Sequence, residues 1–367
     1  MIRPSVTPDA QQRVPSLDGL RGVAALAVVW LHCQGALFAR LGVPSHAYLA
    51  VDFFFCLSGF VITRAYDRRF AAGMTAGEFV GARVRRLYPM LVLGVLLGAA
   101  PFLVTIGGSG LIATVIATAA TLALMPVGLL YGRGAFFIDG PMWSLFFEIA
   151  ANLAYAAAHR ITRRALMAFA GASAAAMLAL TMVNGDMSEM GFQTPSSFLM
   201  GFVRVAYPFA AGMILGRVRG RTAPSIHPLV PYVVLVAMLF MPVGRNWSYD
   251  LVATFLVVPA IVAASVATDQ AGQPRILRWL GAISYPLYLL HEPIMRLAVL
   301  AGLSHAAGRL GEPAIVAIVM VAAVTAATLA ERFYEVPVRR LLARHRGRSV
   351  AIGGVGRDGV AIGHLLG

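Results

Sequence analysis

Apolar runs of about 17 to 23 residues recur from one end of this 367-residue chain to the other, and that repetition constrains the fold more than any single residue. A helix rises about 1.5 Å per residue, so about 20 apolar residues cross the ~30 Å hydrocarbon core of a bilayer. Inside that core every backbone N–H and C=O must find its partner within the protein, and a helix satisfies them locally. The predicted fold class is all-α, a polytopic helical membrane protein. Composition agrees: 59% of residues are hydrophobic and 13% are charged, about half the charged share of a soluble domain. No stretch is long and polar enough to form a separate soluble domain.

Eleven apolar segments can be drawn: 20–38, 47–66, 87–106, 110–130, 141–159, 165–183, 198–215, 228–243, 250–268, 280–302 and 313–333. Arginines cluster in alternate connections. Arg64, Arg68, Arg69, Arg83, Arg85 and Arg86 lie in 64–88, and His159, Arg160, Arg163 and Arg164 near 159–164. Arg217, Arg219 and Arg221 lie in 216–227, Arg275 and Arg278 in 269–279, and Arg339, Arg340, Arg344, Arg346 and Arg348 in the tail. The positive-inside rule puts these connections in the cytoplasm, and the acidic or sparsely charged 184–197, 242–250 and 303–312 outside. The alternation holds from 141 onward and fails between 88 and 141, where two full spans would place 159–164 outside. An odd number of crossings is needed there, so 108–130, rich in Gly and Thr, is expected to be re-entrant or interfacial.

The resulting expectation is ten crossings in a bacterial inner membrane with both termini cytoplasmic. An arm covers 1–19, a membrane domain 20–340, and a glycine-rich tail, expected to be disordered, 341–367. Arg21 opens the first segment and no small-x-small cleavage site follows, so that segment is read as a retained helix. The net charge of +14 follows the loop pattern, and no nucleic-acid partner is expected. Cys33 and Cys56 both fall inside apolar segments, with neither metal-ligand spacing nor a disulfide framework, so no metal is expected.

Arg21 and His32 are separated by ten residues without a charge, in LDGLRGVAALAVVWLHC. Eleven steps of 100° return to within about 20° of the starting direction and rise roughly 16 Å, so the pair shares one helix face. An ionisable residue at that depth is costly and marks a candidate site. Counting along the other segments puts His291, Glu148 and Asp52 near the depth of His32. A neutral histidine is the usual base for a hydroxyl proton, and a carboxylate can orient it. Arginines at the cytoplasmic mouth suit the phosphates of an acyl carrier, with Arg21, Arg83 and Arg86 as candidates. The rise of roughly 16 Å between Arg21 and His32 is about the reach of an extended pantetheine arm.

Plainer readings stand beside these. His32 could be a lone histidine bonded to a neighbouring helix, the arginines simple anchors, and Glu148 and His291 structural glue. Cys33 points about 100° away from His32 and is read as apolar packing. Ser284, Tyr288 and His291 form a stripe at i, i+4 and i+7, with Tyr288 equally suited to packing or substrate contact. A rival class is a transporter or flippase with an intramembrane His/Glu proton relay, although no internal repeat is evident.

Several motifs in order resemble acyltransferase family 3, the bacterial integral-membrane O-acyltransferases. SLDGLRGVAALAVVWLH is similar to that family's Arg-x10-His first helix, and VDFFFCLSGFVIT at 51–63, with Asp52, Ser58 and Gly59, to its second-helix signature. Arg83-Val-Arg85-Arg86 is similar to its Arg-x-x-Arg element, and Trp143-Ser144-Leu145 with Glu148 to its Trp-Ser-Leu-x-x-Glu element. The run from Ser284 to Pro293 resembles its Ser-Tyr-x-Leu-Tyr-x-x-His-x-Pro helix, and Glu335 with Pro337 its closing Glu-x-Pro. One departure is Ala151-Asn152, where an aromatic pair often follows Glu148.

The resemblance implies transfer of an acyl group, usually acetyl from acetyl-CoA, to a hydroxyl of a surface polysaccharide or a lipid-linked glycan. It implies His32 and Glu148 as catalytic residues, and Arg21, Arg83 and Arg86 on the acyl-CoA. Asp52, Ser58, Trp143, Ser144, Tyr288 and His291 would bind or support substrate. Acetyl-CoA would be a donor substrate, with no permanently bound cofactor. No hydrolase-like domain follows the last segment, so transfer is expected within the membrane domain or with polysaccharide-assembly machinery as partner.

Overall fold

The computed structural model describes residues 15–37, 46–106, 110–218, 227–267 and 274–342. The expectations for most of the N-terminal arm and for the tail lie outside these residues. All regular elements among them are helices. They are α1 (Pro15–Leu37), α2 (Ala50–Ala71), α3 (Ala76–Ile106), α4 (Leu111–Leu122), α5 (Met142–Ala157), α6 (Arg163–Asn184) and α7 (Pro195–Arg217). Then follow α8 (Val230–Leu239), α9 (Trp247–Val252), α10 (Val258–Ala267), α11 (Arg275–Leu300), α12 (Ala307–Leu310) and α13 (Glu312–Ala330). A π turn over Ala253–Val257 joins α9 to α10, and another over Glu331–Glu335 extends α13.

Local chemistry sets several helix starts. Thr162 caps α6 by accepting from the Ala165 N–H, and Thr194 and Ser197 form a reciprocal capping box at α7. Asn246 caps α9 through the Tyr249 N–H. Seven stretches are long and apolar enough to cross a membrane: those containing α1, α2, α3, α6, α7, α9 with α10, and α13. The predicted ten crossings also require α5, α8 and α11. The 26 residues of α11 reach about 39 Å, but charged Arg275, Arg278, Glu292 and Arg296 dilute its apolar character. The ten-residue α8 rises only about 15 Å. It is tied to the start of α1 and to the segment before α2: Tyr232 Oη donates to the Ser16 carbonyl, and the Leu239 carbonyl accepts from the His46 N–H.

The parity problem is resolved by α4. Twelve residues rise about 18 Å, too little for a crossing. From beside the end of α3 it descends until the Leu122 carbonyl accepts from Tyr88 Oη at 2.9 Å. The chain then returns to the level of the α6–α7 connection, where the Ala135 N–H donates to the Phe192 carbonyl. The segment folds as a hairpin between α3 and α5, in the place where the charge count asks for a segment that does not cross.

As a result the arginine-bearing ends gather at one face. There Arg217 holds Asp67 at 3.0 Å and donates to the Ile161 carbonyl, while Tyr155 donates to Asp67. We call this the basic face and the opposite one the far face. Two close helix pairs fix the interior. Parallel α1 and α11 meet where Gly22 faces Leu280 and Gly281 faces Asp18, each with backbone 2.6 Å from where a Cβ would stand. Antiparallel α2 and α7 meet where Gly59 faces the Phe209 carbonyl and Gly212 the Cys56 carbonyl. No larger residue fits at these four positions without moving a helix.

Candidate active site

The α1–α11 contact puts His32 against His291. Their rings meet edge to face with centroids 4.8 Å apart. His32 Nδ1 lies 2.8 Å from the Val28 carbonyl, and His291 Nδ1 lies 2.7 Å from the Tyr288 carbonyl. A carbonyl only accepts, so each Nδ1 carries a proton, and Nε2 is the nitrogen that would offer a lone pair in the neutral ring. His291 Nε2 is buried with no hydrogen-bond partner among the described residues. His32 is partly exposed and lines a cavity.

That cavity has a volume of about 690 Å³ and is walled by the far-face ends of several elements. Its polar groups include His32, Tyr48, Glu189, Arg245, Glu292 and Arg296, set among apolar side chains such as Phe102, Phe192 and Met295. This mixture of a mostly apolar wall and a few convergent polar groups is that of a small-molecule pocket.

Toward the basic face lies a second polar group. Arg83 Nη2 donates to Glu148 Oε1 at 2.9 Å, and Ser58 Oγ donates to the same oxygen at 2.9 Å. Asn152, with its amide oxygen turned to Arg83, accepts from Nε at 3.2 Å and Nη2 at 3.3 Å. The departure from the aromatic pair therefore supplies a polar contact to the Arg-x-x-Arg element. Arg21 is within electrostatic range of Arg86, Glu148 and Glu335, and 3.6 Å from Asp18. The three arginines named from sequence thus share one region, two turns of α5 and three turns of α1 from the far-face cavity.

The expected grouping around His32 needs two corrections. Glu148 shares no hydrogen bond with His32; it belongs to Arg83 and Ser58. The largely buried segment 135–141 already enters the interior before α5 begins at Met142, so six more residues carry Glu148 toward the basic face. For Asp52 the correction is one of partner, not of depth: it bonds Arg204 rather than His32. Only the short Ala47–Leu49 turn and one helical residue pair precede it, so it stays near the far face. There Arg204 meets it through Nε at 3.2 Å and Nη2 at 2.8 Å.

Sequence reading missed Arg204, Glu292 and Arg296. A signal for Arg204 was present: a lone arginine in the apolar run SSFLMGFVRVAYPF needs a carboxylate within the protein. Arg204 also bonds the carbonyls of Tyr48, Met187 and Met190, and sits over Trp143 at 5.4 Å. Ser144 and Tyr288 are joined by hydroxyls 2.6 Å apart, and Tyr288 packs against Phe54 and His291. This pair ties α5 to α11 beside the histidines.

A family model described as an acyltransferase domain matches residues 14–332. The chain is 40% identical over 160 residues to protein 2 in the picA locus of Rhizobium radiobacter, covering 40% of this chain and 82% of that protein. It is 27% identical over 377 residues to acyltransferase MdmB of Streptomyces mycarofaciens, covering 91% and 94% of the two chains. It is 28% identical over 328 residues to the exopolysaccharide production protein ExoZ of Rhizobium meliloti, covering 84% and 93%. No solved structure matches. The choice between enzyme and transporter falls to the enzyme, because the match spans the helices that carry both polar clusters: the chain belongs to acyltransferase family 3 and is a multi-pass membrane O-acyltransferase.

Proposed function

We propose that this protein moves an acetyl group from cytoplasmic acetyl-CoA to a hydroxyl of a polysaccharide or lipid-linked glycan on the other side of the bacterial inner membrane. The observation that carries the reading is the position of His32, at a cavity reached from the far face and about 16 Å along α1 from Arg21. The basic face is the cytoplasmic one by the positive-inside rule, which leaves the far-face cavity for the acceptor. The name of the exopolysaccharide relative supports a glycan acceptor.

In this mechanism Arg21, Arg83 and Arg86 hold the phosphates of the donor, as guanidinium forks do for phosphate oxygens. The pantetheine arm follows α1 and brings the thioester to His32. His32 Nε2 is the reacting nitrogen. It either takes the hydroxyl proton or first receives the acetyl group. In both routes the thioester C–S bond breaks, an ester C–O bond forms, and the proton lost by the hydroxyl ends, by way of His32, on the departing thiolate. His291 packs against the reacting ring, Tyr288 and Ser144 fix α5 to α11, and Glu148 sets the position of Arg83.

His32→Ala is expected to remove glycan acetylation while protein level and membrane insertion stay at the wild-type value. Mass analysis of surface glycans from cells with either form measures this, and wild-type acetylation by the variant refutes the reading. Trapping of acetylated protein in the absence of glycan separates acyl carrier from base.

A further inference from the structure

The cavity holds one carboxylate whose surroundings are unlike those of Glu148. Glu292 follows His291 on α11, and Arg296 stands one turn later. Arg296 is fixed by three acceptors: the Phe137 carbonyl at 2.7 Å, the Ile138 carbonyl at 3.2 Å, and Glu292 Oε1. Phe102 lies under the guanidinium at 4.9 Å. The other carboxylate oxygen, Oε2, receives no hydrogen bond from any described residue and lies against Gly140. A side chain at 140 would collide with it, so a glycine there keeps the carboxylate in place. Glu292 and Arg296 line the same cavity as His32.

From this geometry we infer that Glu292, braced by Arg296, is the residue that grips the acceptor, accepting hydrogen bonds from sugar hydroxyls next to the one presented to His32. The inference rests on the acetyl-transfer reading above. A free carboxylate oxygen in a partly apolar pocket is a strong acceptor for hydroxyl donors. The adjacent guanidinium places three of its five N–H groups on Phe137, Ile138 and Glu292, and so fixes the direction in which the carboxylate points. Glu189 adds a second negative group to the wall. Arg245 and Arg296 balance the two carboxylates across the wall as a whole, but at Glu292 itself the favoured group is a pair of neighbouring sugar hydroxyls, and a uronic acid placed with its carboxylate against Glu292 would be repelled.

The test uses the full chain in lipid nanodiscs, where both faces meet the solution, with labelled acetyl-CoA, and alkali-deacetylated surface polysaccharide fragments as acceptor probe. Glu292→Gln keeps the shape of the side chain and removes its charge. It is expected to raise the acceptor KM by about ten- to a hundredfold, the range for hydrogen bonds to a charged group. The acetyl-CoA KM and the rate of acetyl-CoA hydrolysis should stay within twofold of wild type. An unchanged acceptor KM, or an equal loss in the hydrolysis rate, overturns the inference. If Glu292→Gln fails to accumulate, wild-type protein gives the answer by competition. A neutral methyl hexoside should inhibit transfer at least tenfold more strongly than the matching methyl hexuronide, and equal or reversed potency overturns it. His32→Ala in the same assay keeps the failures apart: full transfer by that variant rejects the reaction itself, whatever Glu292→Gln does.

Discussion

Two buried arginine–carboxylate pairs lie at opposite ends of this bundle, and they differ in how much of the guanidinium is used. At the far face, all five N–H groups of Arg204 are engaged, two on Asp52 and three on the carbonyls of Tyr48, Met187 and Met190. Both side chains of that pair are 0% exposed. At the basic face, Arg83 is 9% and Glu148 25% exposed, and Arg83 Nη1 meets no acceptor among the described residues. A saturated, closed guanidinium has nothing left for a ligand, whereas an open one can still take a phosphate oxygen. The same pair of residue types is thus structure at one end and a candidate binding group at the other.

The largest effect is expected from breaking the closed pair. Arg204→Met leaves Asp52 buried without a counter-charge and frees three carbonyls, at a cost of about 3–5 kcal/mol. Those carbonyls belong to the segment before α2 and to the α6–α7 connection, which bring Tyr48 and Ser188 to the cavity wall. The variant should therefore accumulate poorly and melt well below wild type in detergent. Asp52→Leu added to Arg204→Met should recover part of the loss, since no charge is then buried alone. A single variant of wild-type stability would show that the closed pair is not structural.

The open pair should respond in the opposite way. Arg83→Lys keeps the charge but replaces a planar fork by a point donor. Protein level and melting should change little, because the pair is partly solvated. Transfer at low acetyl-CoA should fall about tenfold or more, the loss expected from one charge-assisted hydrogen bond. Unchanged donor dependence would erase the distinction between the two ends.

How far these differences could be read from sequence depends on what each residue must find. Run length alone fixed the helices, because lipid leaves no other partner for the backbone. The charge count located the faulty alternation at 88–141, and α4 sits there because twelve apolar residues are too few to cross. Arg21 and His32 share a helix, so simple rotation placed them. Glu148 and Asp52 found partners on other helices, and their depths depended on where α5 and α2 begin. No periodicity reports that a buried loop precedes Met142. Arg204 and Glu292 escaped for a related reason: one looked like an interruption in an apolar run and the other occupied a variable position between two matched residues.

A third buried carboxyl tests the comparison from the side of having no cation of its own. Asp139, between α4 and α5 and outside the spanning helices, has both oxygens buried without a hydrogen-bond partner among the described residues. Burial and the neighbouring Glu292 push its carboxyl well above the usual range, and Arg296 only partly offsets them. Arg296 is already committed to Glu292 and two carbonyls. A carboxyl raised in the folded state contributes stability that is fully present below its unfolded pKa and is lost as pH rises through the folded value. Asp139→Asn has nearly the same shape and no proton to lose. Its melting temperature should match wild type near pH 4 and move above it as pH rises toward about 8. Wild type loses about 1.4 kcal/mol for every pH unit in which Asp139 keeps its proton while the unfolded carboxyl has lost it. Differential scanning of both forms across that range reads the difference directly. A constant offset, or a variant that loses ground with rising pH, would mean that Asp139 is ionised and paired, and that Arg296 serves two carboxylates rather than one.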